Sequence, residues 1–178
     1  ASEVTEAGVA SCHYVQYDGT DDSMSTAEID FTSTDAMSVF AGVWKRTDAA
    51  LGTLFELSAT AQANNGSFFI RAPATNGAAN YQYYSGGTTR VAATSGTSFP
   101  APIYNLLTGY NDISADQLAL RVNGVQVAAS TGDQGTGNFG DYQLFIGRRN
   151  SASNSFSGRD YGIIIVGKSL SAGDLAST

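Results

Sequence analysis

Between residues 118 and 127 the chain reads Leu118-Ala119-Leu120-Arg121-Val122-Asn123-Gly124-Val125-Gln126-Val127, two alternating apolar runs joined by Asn-Gly. Alternation puts every second side chain on the same face of a strand. Asn-Gly accepts the positive φ that both central positions of a two-residue type I′ turn require. These residues therefore predict a β-hairpin, and the alternation on both arms fixes its register.

The same vocabulary recurs along the chain. Cys12 to Tyr17 is a short apolar and aromatic run that ends at the turn Asp18-Gly19. Met37 to Trp44 alternates, with Val39, Ala41 and Val43 on one face and Phe40, Gly42 and Trp44 on the other. Leu54 to Leu57 and Ser67 to Arg71 follow, separated by the turn-forming residues 61–66. Asn80 to Tyr84 and Arg90 to Thr94 flank Gly86-Gly87, a second hairpin signal. Ile103 to Tyr110 starts after Pro100 and Pro102, and Tyr142 to Gly147 and Tyr161 to Val166 complete the set. One short helix is expected at the C-terminal end, where Ser171 caps, Asp174 closes a capping box and Leu170 staples onto Leu175. Turn signals every 8–12 residues without helical crossovers predict an antiparallel two-sheet sandwich. With no repeat or linker, residues 1–178 read as one domain. Because Ala1 is not a natural start and the helix is cut at Thr178, that domain is expected to be excised from a longer chain.

Composition excludes several functions. Charged residues make up 14% of the chain, against about 25% in ordinary soluble domains. The 16 acidic and 9 basic residues give a net charge of −7. Scattered cations, no denser than Lys45-Arg46 and Arg148-Arg149, cannot displace counterions from nucleic acid, and an anionic membrane is an equally poor partner. The longest apolar run, Ile163 to Val166, falls far short of the roughly 20 residues a membrane helix needs, so no membrane insertion is expected. Cys12 stands alone, which rules out an intrachain disulfide.

Several segments resemble laminin-G-like domains of the concanavalin A-like type. Tyr17-Asp18-Gly19-Thr20-Asp21-Asp22 is similar to their "F-D-G-x-D-D" opening, and Leu118 to Val127 to their "L-x-V-N-G-x-x-V" hairpin. Leu144-Phe145-Ile146-Gly147 resembles their "L-x-I-G" strand. Phe156 to Val166 resembles the "F-x-G-x-I" closing strand, and Leu170-Ser171 the terminal cap. The resemblance implies a jelly-roll sandwich over nearly the whole chain. Residues 29–43 and 133–140 are similar to the version carried by bacteriophage and prophage tail and fibre proteins. That implies a virion component assembled in a reducing cytoplasm and displayed on the particle surface. Its expected partners are a host surface glycan, other virion proteins and further copies of itself in a trimer.

Candidate chemistry is sparse. Glu28-Ile29-Asp30 resembles the start of the E-x-D-x-(x)-E strand of laminarinase-type glycosidases, but Thr32 and Ser33 stand where the third carboxylate belongs. Half of the acid/base pair that retaining hydrolysis needs is therefore missing. Gly135-Thr136-Gly137-Asn138-Phe139-Gly140 spells G-x-G-x-x-G, yet a strand follows where the dinucleotide motif needs a helix N-terminus. Cys12 and His13 are neighbours on a strand, so they face opposite ways and form no dyad. No enzyme is expected. Asp18, Asp21 and Asp22 offer hard oxygens to Ca²⁺, although Asp and Gly also form turns. Flat rings take sugars when polar groups orient them. A carbohydrate site is thus expected at Trp44, Tyr81, Tyr83 and Arg90, or at Arg148, Arg149 and Asn150. The leading expectation is a non-catalytic glycan-binding module. Its alternatives are a virion decoration or assembly domain, and a divergent glycan-cleaving enzyme using Glu28 and Asp30.

Overall fold

A computed structural model describes residues 2–4, 12–60, 65–150 and 152–168. Its strands are β1 (Ser2–Val4), β2 (Cys12–Asp18), β3 (Met24–Asp30), β4 (Ala36–Lys45), β5 (Thr53–Leu57), β6 (Ser67–Arg71) and β7 (Gln82–Gly86). They continue with β8 (Val91–Thr94), β9 (Ile103–Asp112), β10 (Gln117–Val122), β11 (Val125–Ser130), β12 (Asp141–Ile146) and β13 (Ser157–Val166). A seven-stranded sheet has the order β1-β2-β13-β4-β9-β10-β11, and a six-stranded sheet the order β3-β12-β5-β6-β7-β8. All strand pairs in both sheets are antiparallel. This is the expected all-β sandwich of jelly-roll type. The helix expected around Ser171 and Asp174 lies outside the described residues. Among the described residues no helix is long and apolar enough to cross a membrane.

Alternation decides what enters the core. From the seven-stranded sheet, Met37, Val39, Ala41 and Val43 of β4, Leu107 of β9, and Leu118, Leu120 and Val122 of β10 face inward. Phe55 and Leu57 of β5, Phe68 and Ile70 of β6, and Tyr83 of β7 meet them from the six-stranded sheet. Edge-to-face rings knit this layer: Phe68 lies 6.3 Å from Phe55 and 5.7 Å from Phe139. Each such contact is worth roughly 0.5–1.5 kcal/mol beyond its buried area.

The β10–β11 hairpin forms as its sequence predicts, with φ of 51° at Asn123 and 80° at Gly124. The Asn123 side chain also ties the hairpin to β9. Its Oδ1 accepts from Leu106 N at 2.8 Å, and its Nδ2 donates to Asn105 Oδ1 at 2.8 Å. Strand β3 carries little alternation because it forms an edge of the six-stranded sheet, with Met24, Ser25, Ala27, Glu28 and Asp30 exposed. Strand β7 starts at Gln82 and runs to Gly86, later than its sequence suggests, because Tyr81 N bonds the Ser95 hydroxyl rather than a strand carbonyl.

Candidate functional site

The outward side chains of the six-stranded sheet form a cross-strand row. Phe145 of β12 stands opposite Glu56 of β5, Glu56 opposite Phe69 of β6, Phe69 opposite Tyr84 of β7, and Tyr84 opposite Ala92 of β8. Register alone brings Phe69 and Tyr84 into a stack, with ring centroids 4.5 Å apart and planes 27° from parallel. Three guanidiniums surround this pair. The Arg149, Arg71 and Arg90 Cζ atoms lie 4.8, 5.1 and 5.2 Å from the Phe69 centroid, and those of Arg71 and Arg90 each lie 5.0 Å from the Tyr84 centroid. Cation–π contact of this kind holds arginine flat against a ring. Phe69 is consequently buried although it points away from the core.

Arg149 reaches the row from the turn after β12. Gly147, at φ +84°, begins that turn where the Tyr17 ring leaves no room for a Cβ. Arg149 N donates to Ser153 O at 3.0 Å, and Ala152 N donates back to Arg149 O at 3.0 Å. The side chain then meets Glu56 through two bonds, Nε to Oε2 at 3.1 Å and Nη2 to Oε1 at 2.8 Å. Glu56 Oε2 also accepts Asn150 N at 3.1 Å. Asn150 Nδ2 donates to the carbonyls of Ser58 and Ala59 at 3.2 and 3.1 Å. Both partners of the ion pair are sealed from water, with 1% of Glu56 and 2% of Arg149 exposed. Beside Asn150 a polar hollow of about 320 Å³ opens between Ser58, Tyr142, Gln143 and Glu28.

The opposite, seven-stranded sheet turns a different surface outward. Trp44 and Tyr104 lie 6.1 Å apart, Tyr104 and Tyr161 6.1 Å, and Tyr161 and Tyr14 5.8 Å. Arg159 lies over Tyr14 at 4.4 Å and over Trp44 at 4.6 Å. Next to this ladder, Leu106, Ile164, Phe40 and Tyr161 line an apolar groove of about 210 Å³. Tyr104 is 57% and Ile164 63% exposed.

These positions divide the residues that the sequence groups together. Tyr81 and Tyr83 are not surface residues: both are fully buried in the core, because alternation in β7 turns Tyr83 inward and Tyr84 outward, and Tyr81, just before the strand, keeps the parity of Tyr83. Burial holds the Tyr81 hydroxyl pKa up at about 12, while its oxygen accepts Asn105 Nδ2 at 2.8 Å. Trp44 stands on the seven-stranded sheet, whereas Arg90, just before β8, lies over Tyr84 of the six-stranded one, so the two share no site. Arg90, Arg149 and Asn150 do converge on one face, whereas none of the contacts described there involves Arg148. Sequence reading passed over Glu56, Phe69, Arg71 and Tyr84. Residues 53–57 and 67–71 carry no clean polar–apolar alternation that marks them, and it is the pairing register that sets Glu56 opposite Phe69 and Phe69 opposite Tyr84.

The remaining candidates stay local. Asp30 Oδ1 accepts the amide and hydroxyl of Thr32 at 2.8 and 2.6 Å, and these bonds hold its pKa low. Glu28 and Asp30 are exposed on edge strand β3, and Thr32 and Ser33 bring no third carboxylate. The residues that spell G-x-G-x-x-G form a loop pinned to the β7–β8 turn, with Gly87 N donating to Gln134 O at 3.0 Å and Thr88 N to Thr136 O at 3.1 Å. Cys12 and His13 are exposed neighbours on β2. Asp18, Asp21 and Asp22 do come together, each with a carboxylate oxygen within 4.8 Å of the others. Three such oxygens would suit Ca²⁺, which takes six to eight at 2.3–2.6 Å. Two of these carboxylates already serve the turn: Asp22 Oδ2 accepts Asp18 N at 2.9 Å and Asp18 Oδ1 accepts Thr20 N at 2.6 Å.

Two antiparallel sheets around one continuous core, with an open outer face on each, define a jelly-roll sandwich. The chain belongs to the concanavalin A-like lectin/glucanases superfamily, whose family model matches residues 18–176. A search of curated proteins finds no match. Among solved structures, the fold is similar to Domain 4 of AbnA, a GH43 extracellular arabinanase from Geobacillus stearothermophilus, in complex with arabinotriose. The TM-score is 0.72 at 13% identity, over 99% of this chain and 81% of that one. The native heptameric SAP-like pentraxin of Limulus polyphemus matches with a TM-score of 0.70 at 11% identity, over 92% and 79% of the two chains. The CBM40 of Ruminococcus gnavus IT-sialidase, bound to α2,3-sialyllactose, matches with a TM-score of 0.62 at 14% identity, over 86% and 96%. At these identities the likeness is one of fold.

Proposed function

We propose that residues 1–178 form one non-catalytic glycan-binding domain whose ligand face is the outer face of the six-stranded sheet. The observation that carries this reading is the polar hollow between Glu28, Gln143, Ser58 and Asn150, which opens beside the arginine-rimmed Phe69–Tyr84 stack. Such a face offers rings to sugar C–H surfaces and fixed donors to sugar hydroxyls. Its hollow carries the carboxylates of Glu28 and Asp141, acceptors for sugar hydroxyls. Glu56 is locked to Arg149, Asp30 is turned onto Thr32, and Glu28 stands on the edge strand. Two of the similar structures, the arabinanase domain and the sialidase CBM40, hold oligosaccharides, which supports the same use here.

The wording of residues 29–43 and 133–140 supports a place on the surface of a bacteriophage particle, in a tail or fibre. There the domain meets host surface glycans and packs beside other virion proteins, as a trimer. A glycan array and host-cell binding by the intact chain test the function. Binding that is lost in Tyr84→Ala is expected, and no binding above background to any host polysaccharide would overturn it. Flanking coiled-coil or tail-fibre sequence in the same gene is the expected mark of virion display.

A second reading rests on the other face. The exposed Tyr104, Leu106 and Ile164 suit protein contact better than sugar contact, as in a decoration or assembly domain. Cross-linking within an intact particle separates the two, because this reading predicts links through the seven-stranded sheet and no sugar binding.

A further inference from the structure

The charge around the Phe69–Tyr84 pair departs from that of the whole molecule and from that of the neighbouring hollow, where Glu28 and Asp141 stand. Acidic residues outnumber basic ones by 16 to 9 in the chain, yet three guanidiniums crowd the Phe69–Tyr84 pair with the single carboxylate of Glu56 among them. That carboxylate is fully engaged. One oxygen takes Arg149 Nη2, and the other takes Arg149 Nε and Asn150 N. Among the described residues Arg71 and Arg90 form no ion pair, and Arg71 Nε and Arg90 Nη1 are buried without an acceptor. Leaving buried charged donors unpaired is costly. Burial and the neighbouring arginines push the pKa of both below the ordinary arginine value. Rings hold the two guanidiniums in place without using their in-plane N–H donors.

We propose that Arg71 and Arg90 form a subsite for the anionic group of an acidic glycan, with Arg149 as the positioning residue that Glu56 locks against Phe69. This rests on the glycan-binding reading and names its ligand class. Arg71 and Arg90 are both half-buried, and a carboxylate or sulfate oxygen accepts from their solvent-facing N–H groups while the sugar ring extends toward Asn150 and the hollow beside it. A neutral sugar would bring these two guanidiniums no opposite charge.

Isothermal titration of the intact chain tests this with four probes: α2,3-sialyllactose, an oligogalacturonate, a sulfated chondroitin oligosaccharide and neutral lactose. At least one acidic probe is expected to bind about tenfold or more tighter than lactose, with affinity falling as salt rises. The carboxylated and sulfated probes separate the two sources of charge. Arg71→Gln and Arg90→Gln are each expected to weaken acidic binding about tenfold, with Arg121→Gln on the other sheet as a control without effect. If Arg71→Gln fails to fold, Arg71→Lys keeps the charge, removes the fork and is expected to give an intermediate loss. Equal affinity for neutral and acidic probes, or acidic binding unchanged in both arginine variants, overturns the subsite while glycan binding stands. Binding to none of the four, together with a silent glycan array, overturns both.

Discussion

The two outer faces share a construction and differ in what they carry. Each is an antiparallel sheet whose alternate residues fill a common core. On the six-stranded sheet the other set includes Glu56, Phe69, Arg71 and Tyr84, joined by Arg90 and Arg149. On the seven-stranded sheet it includes Phe40, Trp44, Tyr104, Leu106 and Ile164, with Arg159 over the rings. The first is a charged surface with unpaired donors, and the second a mostly apolar one. Identical backbone pairing thus yields one face rich in charge and one that is mostly apolar. Buried charge occurs on both sheets. Glu56 has a guanidinium across two hydrogen bonds and Lys45 of β4 pairs with Asp48 at 2.6 Å, whereas Asp160, buried in the seven-stranded sheet, has the backbone N–H of Gly162 at 2.9 Å.

Removing Glu56 breaks the charged face most severely. Glu56→Ala leaves Arg149 buried without its carboxylate and is expected to cost about 3–5 kcal/mol, measured by denaturant unfolding. A loss under about 1 kcal/mol would show that the pair holds nothing together. On the apolar face, Trp44→Ala is expected to cost about 1–2 kcal/mol through lost packing and cation–π contact, with glycan affinity unchanged. A matching loss of sugar binding would move the ligand to the other sheet.

Asp160 gives a change of opposite sign. Burial raises its pKa, so the charged carboxylate costs stability above that pKa, and the cost disappears as pH falls through it. Asp160→Asn keeps an acceptor for Gly162 N and is expected to unfold at a higher temperature than wild type at neutral pH. The gap closes on acidification, and a constant difference across pH would refute the account. The smallest expected effect is that of Tyr17→Phe. The Tyr17 hydroxyl is buried without a hydrogen-bond partner, and burial, with the Asp160 charge, raises its pKa. Its removal should change stability by less than about 1 kcal/mol, toward greater stability, in the same unfolding experiment.

Local sequence determined the strands and their faces. Asn123-Gly124 fixed one hairpin, Val39, Ala41 and Val43 marked a buried face, and Tyr81 and Tyr83 were separated from Tyr84 by parity alone. All of this follows from the two-residue period of a strand and the φ that a tight turn demands. Parity does not say which side is inside. A tyrosine suits a core or a ligand face, and Tyr81 and Tyr83 went to the core, where they join the buried cluster that includes Val39 and Leu107. Nor does spacing along the chain reveal that Arg71, Arg90 and Arg149 come from three separate segments onto one ring pair. Strand order β12-β5-β6-β7-β8 brings them there, and order is set by pairing between distant segments. The sequence by itself settled the sandwich and the turn chemistry, which are local. Tertiary structure decided which aromatic residues stay outside, which charges find partners, and that Arg71 and Arg90 come to the Phe69–Tyr84 stack without an ion-pair partner among the described residues.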